Sequence, residues 1–197
     1  KRITIHLNQR SEMLSGISHD LRTPLTRLKL QLALIKQQDL AKKMSDDIEE
    51  MERMLNEYLE FSRYQKNEET ETVNINNMIN EVVKKYENNQ IDISVEENLE
   101  INIRPNSIKR CLTNLIDNGL SYGKKVAILS NKTKNNLSII VDDDGPGIDE
   151  DEYQNVMKPF YRIDKSRSQN KSGVGLGLSI ANDIIRSHGG NISLDKS

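Results

Sequence analysis

The sequence predicts a molecule in two parts, a helical hairpin followed by an α/β sandwich, and three observations carry that prediction. Leu14, Ile17, Leu21, Leu25, Leu28, Leu32 and Ile35 recur at three- and four-residue steps, the spacing of one apolar helix face. Met44, Ile48, Met51, Leu55 and Tyr58 repeat the pattern after a short break. Beyond the polar stretch Gln65–Thr70 the periodicity changes, and short β-rich runs alternate with helical ones.

The first seam predicts one long helix over residues 3–37. Pro24 removes the hydrogen bond to the carbonyl of Asp20 and so bends this helix one turn from His19. Gln37-Gln38-Asp39 is a short connection, so the second helix runs back antiparallel. Two seamed helices bury little by themselves. Their apolar faces are expected to meet the same pair from a second subunit, giving a homodimeric four-helix bundle. The acidic run Asp46–Glu52 reads as a solvated helix face. A domain boundary is expected within Gln65–Thr70, separating residues 1–67 from 68–197. In the second part, helical patterns at 76–88, 105–122 and 175–188 alternate with strand patterns at 91–95, 99–103, 125–129 and 137–142. That order predicts a mixed sheet with helices on one face.

Composition narrows the function classes. A net charge of −2 with 29% charged residues leaves no basic footprint for nucleic acid. The one cysteine, Cys111, excludes an internal disulfide framework and a multi-cysteine metal site, and reads as a small buried thiol in a reducing compartment. No apolar run approaches the ~20 residues that span a bilayer. Both ends read as cuts in a longer protein, and the chain is expected to stop before a closing strand after Gly189-Gly190.

Four constellations carry chemistry. His19 lies two positions from Ile17, about 200° around the helix, so it points away from the apolar seam and shares a polar face with Arg22 and Thr23. Asn114 and Asn118, at i and i+4 of a helix, turn two amides to one side and can offer oxygens to a hard cation. Asp143-Asp144-Gly145-Pro146-Gly147-Ile148 runs from a strand into a glycine turn. Strand alternation separates Asp143 from Asp142 and Asp144, so three aspartates sharing one ion are not expected. Gly173-Val174-Gly175-Leu176-Gly177-Leu178 precedes an amphipathic helix, where free N–H groups and the positive dipole end suit phosphate oxygens. A dinucleotide fold would place such glycines after its first strand, with an acidic residue ~20 positions on. Here they lie near the end of the chain. Between the glycine motifs stands Lys158-Pro159-Phe160-Tyr161-Arg162, followed by the polar segment Asp164–Ser172, read as a lid over a nucleotide. Arg162 and Lys165 are candidate phosphate contacts.

Ser18-His19-Asp20-Leu21-Arg22-Thr23-Pro24-Leu25 closely resembles the H-box of sensor histidine kinases. The later motifs, in their order and spacing, resemble the ATP-binding fold that these kinases share with type II topoisomerases, Hsp90 chaperones and MutL (the GHKL fold). Ser18–Arg27 is particularly similar to EnvZ-type osmosensors. The resemblance implies a class I sensor histidine kinase core with ATP and Mg²⁺ as cofactors. It implies His19 as the phosphoacceptor, Asp20 as the group that fixes its tautomer, and Thr23 as a phosphatase residue. Asn114 and Asn118 would hold Mg²⁺. Tyr122, Asp143, Gly145, Gly147, Ile148, Phe160, Arg162, Gly173, Gly175, Leu176, Gly177 and Leu178 would bind nucleotide, with Asp143 taking the adenine amino group. The implied partner is the receiver domain of an OmpR-like response regulator. The implied place is the cytoplasmic portion of an inner-membrane sensor, reaching the membrane only through segments absent from this chain. Ser121 departs from the pattern, since relatives carry Lys or Arg there, and Lys124 or Lys125 can substitute. Two competing readings are a chaperone-like ATP clamp and a nucleotide-binding dimeric scaffold or phosphatase-biased form with little kinase activity. Asn114, where the hydrolases of this fold carry a glutamate, argues against the clamp because an amide cannot activate water.

Overall fold

The chain divides after Asn67 into two units, Lys1–Asn67 and Glu68–Ser197. The structure, a computed structural model, describes residues 23–32, 40–42, 44–49, 51–52, 55, 68–86, 90–96, 99–133, 136–163 and 175–195.

In the first unit, residues 23–32 are helical, as are 40–42, 44–49, 51–52 and 55. Lys29 Nζ donates to Glu52 Oε2 at 2.7 Å, which places the two helices side by side, and the carboxylate raises the Lys29 pKa. Leu32 and Ile48, one on each helix, are buried. Leu30 and Met51 stay 67% and 53% exposed, and Leu28 and Met44 of the two seams are exposed as well. One chain therefore leaves part of its apolar surface uncovered. His19, Asp20, the expected bend before Pro24 and the connection at 37–39 lie outside the described residues.

The second unit begins with β1 (Glu71–Asn74). The side chain of Asn74 accepts the Asn77 N–H at 3.0 Å and so starts α1 (Ile75–Val83). Ile75, Met78, Ile79 and Val82 form its buried face at the i, i+3, i+4, i+7 spacing. A 3₁₀ turn, Lys84–Tyr86, tightens its end. Then follow β2 (Gln90–Ser94), β3 (Glu100–Ile103), α2 (Pro105–Tyr122), β4 (Lys125–Lys132), β5 (Leu137–Asp143), a 3₁₀ turn at Glu150–Glu152, α3 (Tyr153–Val156) and α4 (Gly177–Ser187). Helix α2 packs against α1, α4, β4 and β5 and forms the centre of the core. Ile79 and Ile116 are fully buried, each worth roughly 1.5–3 kcal/mol relative to exposure.

The expected mixed sheet is present, but its ladders divide in two. β2 pairs parallel with β4 and β4 antiparallel with β5, whereas β3 pairs antiparallel with β1. Strand β1 was not expected, because only Val73 of Glu71-Thr72-Val73-Asn74 is apolar and no alternation marks it. Residues 191–195 carry no regular secondary structure. Cys111 is buried as expected, with its Sγ 3.9 Å from the Ala181 carbonyl, and burial pushes its thiol up to about 12. No helix among the described residues is long and apolar enough to cross a membrane.

His188 has a structural role. Its Nδ1–H donates to the Ile184 carbonyl at 2.8 Å and its Nε2 accepts the Arg104 N–H at 3.1 Å, joining the end of α4 to the start of α2. Burial, reinforced by the Arg104 guanidinium and opposed by the Ile184 carbonyl, holds its pKa below the ordinary 6.5. The unfolded chain therefore binds this proton more readily than the folded one. The His188 contribution should be complete above about pH 6.5 and fade as pH falls from there through the lower folded pKa. Urea midpoints between pH 5 and 7.5 should drop on the acid side in the parent chain. That slope should flatten in His188→Gln, whose amide oxygen can still accept.

Candidate functional site

Asn114 and Asn118 lie one turn apart on α2, both half-buried. The Asn114 Nδ2 is buried and has no hydrogen-bond partner. Gly177 lies directly beside it, since a Cβ on Gly177 would sit 3.8 Å from the Asn114 Cβ. Gly177 opens α4, and its N-cap residue, Leu176, supplies no side-chain cap. Leu176 is buried; its carbonyl accepts the Ile180 N–H and the Ser179 hydroxyl, both at 2.9 Å. The packing of α2 on α4 thus brings an unpaired amide donor against a helix N-terminus that its own N-cap residue leaves without a side-chain cap, a combination suited to an anion.

Asp143 ends β5 on the other flank of α2. A Cβ on Gly119 would lie 2.9 Å from Val126 Cγ2 and 3.2 Å from Asp143 Cβ, so the missing side chain lets α2 lie directly on the strand that carries Asp143. The Asp143 Oδ1 accepts the Gly145 N–H at 2.9 Å, folding the turn back on its own carboxylate and leaving Oδ2 directed toward Gly119. Tyr122, at the end of α2, is exposed, and its backbone borders Gly145. Ile148 is half-buried, and Gly147 is held at φ 73°.

The turn depends on Asp144, to which the sequence pattern assigns no role in the site. Asp144 Oδ1 accepts the N–H groups of Lys125 at 2.8 Å and Lys124 at 2.5 Å, tying the end of α2 to the glycine turn. The Lys125 N–H, followed by the Lys124 N–H, holds this carboxyl below the usual range. The Ser121 hydroxyl donates to the Asp117 carbonyl at 2.6 Å, a contact within its own helix. Tyr86 OH donates to Asp117 Oδ1 at 2.7 Å and ties the same helical turn to the 3₁₀ turn that follows α1.

The third flank is the segment 158–163 with Gly175. The Phe160 N–H donates to the Gly175 carbonyl at 2.9 Å, so both ends of the intervening segment meet. Gly175 has φ 77°, and a Cβ there would lie 2.8 Å from the Tyr161 carbonyl oxygen and 3.2 Å from Arg162 Cγ. Phe160 itself has φ 64°, rare for a bulky residue, and its ring is 54% exposed. Tyr161 OH donates to Glu152 Oε2 at 2.6 Å, which raises the phenol pKa and anchors the neck on α3 and its preceding turn. Gly173, Lys165 and the segment 164–174 lie outside the described residues, as does the expected lid. Leu178 is half-buried in the first turn of α4.

The donor set fits a hard cation shared with substrate oxygens. Among the described residues no group of three or more His, Cys, Asp or Glu could hold a metal. A cation here would take the Asn114 and Asn118 amide oxygens and complete its shell from phosphates and water, as Mg²⁺ does.

An α/β domain that assembles an asparagine pair, an Asp-x-Gly-x-Gly turn and a glycine-led helix around one face defines a GHKL-type ATP-binding unit. Residues 103–197 match the family described as histidine kinase-, DNA gyrase B- and HSP90-like ATPase, and residues 9–67 match the His Kinase A (phospho-acceptor) domain. The chain belongs to the sensor histidine kinases. It is 33% identical to the sensor histidine kinase GtrS of Pseudomonas aeruginosa, over 98% of this chain and 41% of that protein. It is 33% identical to CpxA of Escherichia coli K12 over 97% and 45%, and 35% identical to ArlS of Staphylococcus aureus over 95% and 46%. The chain thus spans less than half the length of these curated relatives. Among solved structures, the catalytic domain of the histidine kinase ThkA aligns with a TM-score of 0.53 at 27% identity, covering 60% of this chain and 81% of that one. Full-length ShkA aligns with a TM-score of 0.66 at 20% identity over 90% of this chain and 41% of that one, a likeness of fold.

Proposed function

We propose that this chain is the kinase core of a two-component sensor: residues 68–197 bind ATP and residues 1–67 dimerise and carry the phosphoacceptor His19. The observation that carries the reading is the buried, unpartnered Asn114 amide beside the glycine-led start of α4. An unsatisfied buried donor costs roughly 1–3 kcal/mol, and a phosphate oxygen would satisfy it. Asp143, on the opposite flank, would take the adenine amino group. Asn118 and Asn114 would hold Mg²⁺, which would supply charge neutralisation on the phosphates.

His19 attacks the γ-phosphorus with a neutral imidazole nitrogen. A P–N bond forms, the bond to the β-γ bridging oxygen breaks, and ADP leaves. Asp20 accepts the Nδ1–H, which fixes the tautomer and stabilises positive charge on the ring. Asn114 carries no base, which favours transfer to His19 over hydrolysis. The phosphoryl group then passes to an aspartate of a response-regulator receiver, of the OmpR-like type by resemblance. Thr23, exposed at the start of the described helix, would orient water for phosphatase activity. The uncovered residues Leu28, Leu30, Met44 and Met51 support homodimerisation of the hairpin. By resemblance, the whole protein would sit at the inner membrane, with this portion on the cytoplasmic side.

The chain incubated with Mg²⁺ and γ-labelled ATP should acquire acid-labile, alkali-stable label that maps to the peptide containing His19. Label on another residue, or none while nucleotide binds, would overturn the kinase reading and favour the scaffold or phosphatase-biased form.

A further inference from the structure

Helix α2 begins without a cap of its own. Its N-cap residue is Arg104, whose side chain makes no capping hydrogen bond, and Pro105 follows. The open N–H groups of Asn106 and Ser107 are taken instead by Glu68. The Asn106 N–H donates to Glu68 Oε1, the Ser107 N–H to Oε2 at 3.0 Å, and the Ser107 hydroxyl to Oε2 at 2.6 Å. Glu68 is the first residue of the second unit, 38 positions before Asn106. A carboxylate is favoured at this dipole end.

Arg104, free of the capping task, turns to the end of α4. Its Nε donates to His188 Nε2 at 3.3 Å and its guanidinium also donates to the Ser187 hydroxyl. The start of the second unit, the root of α2 and the end of α4 therefore meet at one node. Helix α2 runs from this node to Asn114, about 10–15 Å along its axis, and α4 runs to it from Gly177.

We propose that Glu68 is a positioning residue for phosphoryl transfer: a cap supplied by the linker, which fixes where the connecting chain leaves the ATP-binding unit. This rests on the kinase reading above. If Glu68 lets go, the next anchor is β1 at Glu71, and the tether between His19 and the nucleotide lengthens by residues 68–70, about 10 Å of extended chain. A longer tether lowers the effective concentration of the imidazole at the γ-phosphorus, whereas the nucleotide contacts stay as they are.

The test uses the full chain with Glu68→Ala, Arg104→Asn and the double variant, in which the introduced asparagine side chain supplies a local cap. Amide exchange at Asn106 and Ser107 reads the cap, and the initial rate of His19 labelling at saturating ATP reads the positioning. Glu68→Ala should speed exchange at both amides and slow labelling by up to about threefold, the effect of doubling a short tether, with ATP affinity within about twofold of the parent. The double variant, measured against Arg104→Asn alone, should regain amide protection and stay slow. Unchanged exchange in Glu68→Ala would overturn the proposal whether or not the chain is a kinase. Recovery of labelling together with protection in the double variant would reduce Glu68 to a helix cap and overturn its positioning role. A parent chain that takes no label would defeat the kinase reading and the positioning role with it, whereas the exchange arm would still report the cap.

Discussion

Asn114→Ala is expected to move stability and nucleotide binding in opposite directions. In the folded chain the Asn114 Nδ2 is buried with no partner, so its desolvation is uncompensated. Alanine removes that cost and is the better helix former at a position inside α2. The unfolding free energy without nucleotide should rise by about 1 kcal/mol, and Tm by a few degrees. The affinity for an Mg²⁺–ATP analogue should fall at least about tenfold, equivalent to about 1.4 kcal/mol. Calorimetry for the first quantity and a fluorescent nucleotide for the second would read both. A destabilised variant would mean that the amide has a partner inside the protein, and the case for a ligand-facing donor would fail.

Gly175→Val is expected to be damaging in both respects. At φ 77° a non-glycine residue costs roughly 1–2 kcal/mol. The new Cβ would also stand 2.8 Å from the Tyr161 carbonyl oxygen and 3.1 Å from the Phe160 carbonyl carbon, backbone atoms that no rotamer change can move. The neck must shift, and the Phe160 N–H loses its geometry to the Gly175 carbonyl. Together the two effects should cost about 3 kcal/mol in a urea titration and abolish tight nucleotide binding. A cost under about 1 kcal/mol would show that the neck yields easily and does not shape the site.

The strands and helices with strong patterns were legible. The α2 prediction, 105–122, matches Pro105–Tyr122, because Pro105 opens the helix and Gly123 follows it. The last strand prediction, 137–142, falls one residue short of Asp143. The helix predicted over 76–88 ends at Val83 and tightens into a 3₁₀ turn, a change of hydrogen bonding that apolar spacing does not encode. The short helix Tyr153–Val156 follows an acidic run, Asp149–Glu152, with no apolar period to announce it. β1 has one apolar residue and exists through its pairing with β3.

For the candidate site, the motifs disclosed which residues meet but not what holds them there. Strand alternation separates Asp144 from Asp143 but does not disclose that it ties two elements together through backbone N–H groups. Glu152 acts through Tyr161, nine positions away, and Glu68 through a helix that starts more than thirty positions later. The one local hint of the last contact was an arginine at the position where α2 needs an acceptor.

The strand register has a bearing on time as well as on shape. Glu71 pairs with Ile103 and Gln90 with Lys125, so the ATP-binding unit must close long stretches of chain before its ladders form. Contacts of that range make for slow folding, whereas the helices of the first unit join through nearer neighbours and leave the ribosome earlier. The walls that would hold nucleotide come from Asn114, Asp143 and Gly175, and they coexist only once that closure is complete. A ligand that meets only the finished site stabilises it by mass action, by about 2.7 kcal/mol at a hundred times its Kd. Interactions absent from the folding transition state act on escape from the native basin. ATP would therefore prolong the lifetime of the assembled unit and leave the rate of its assembly unchanged.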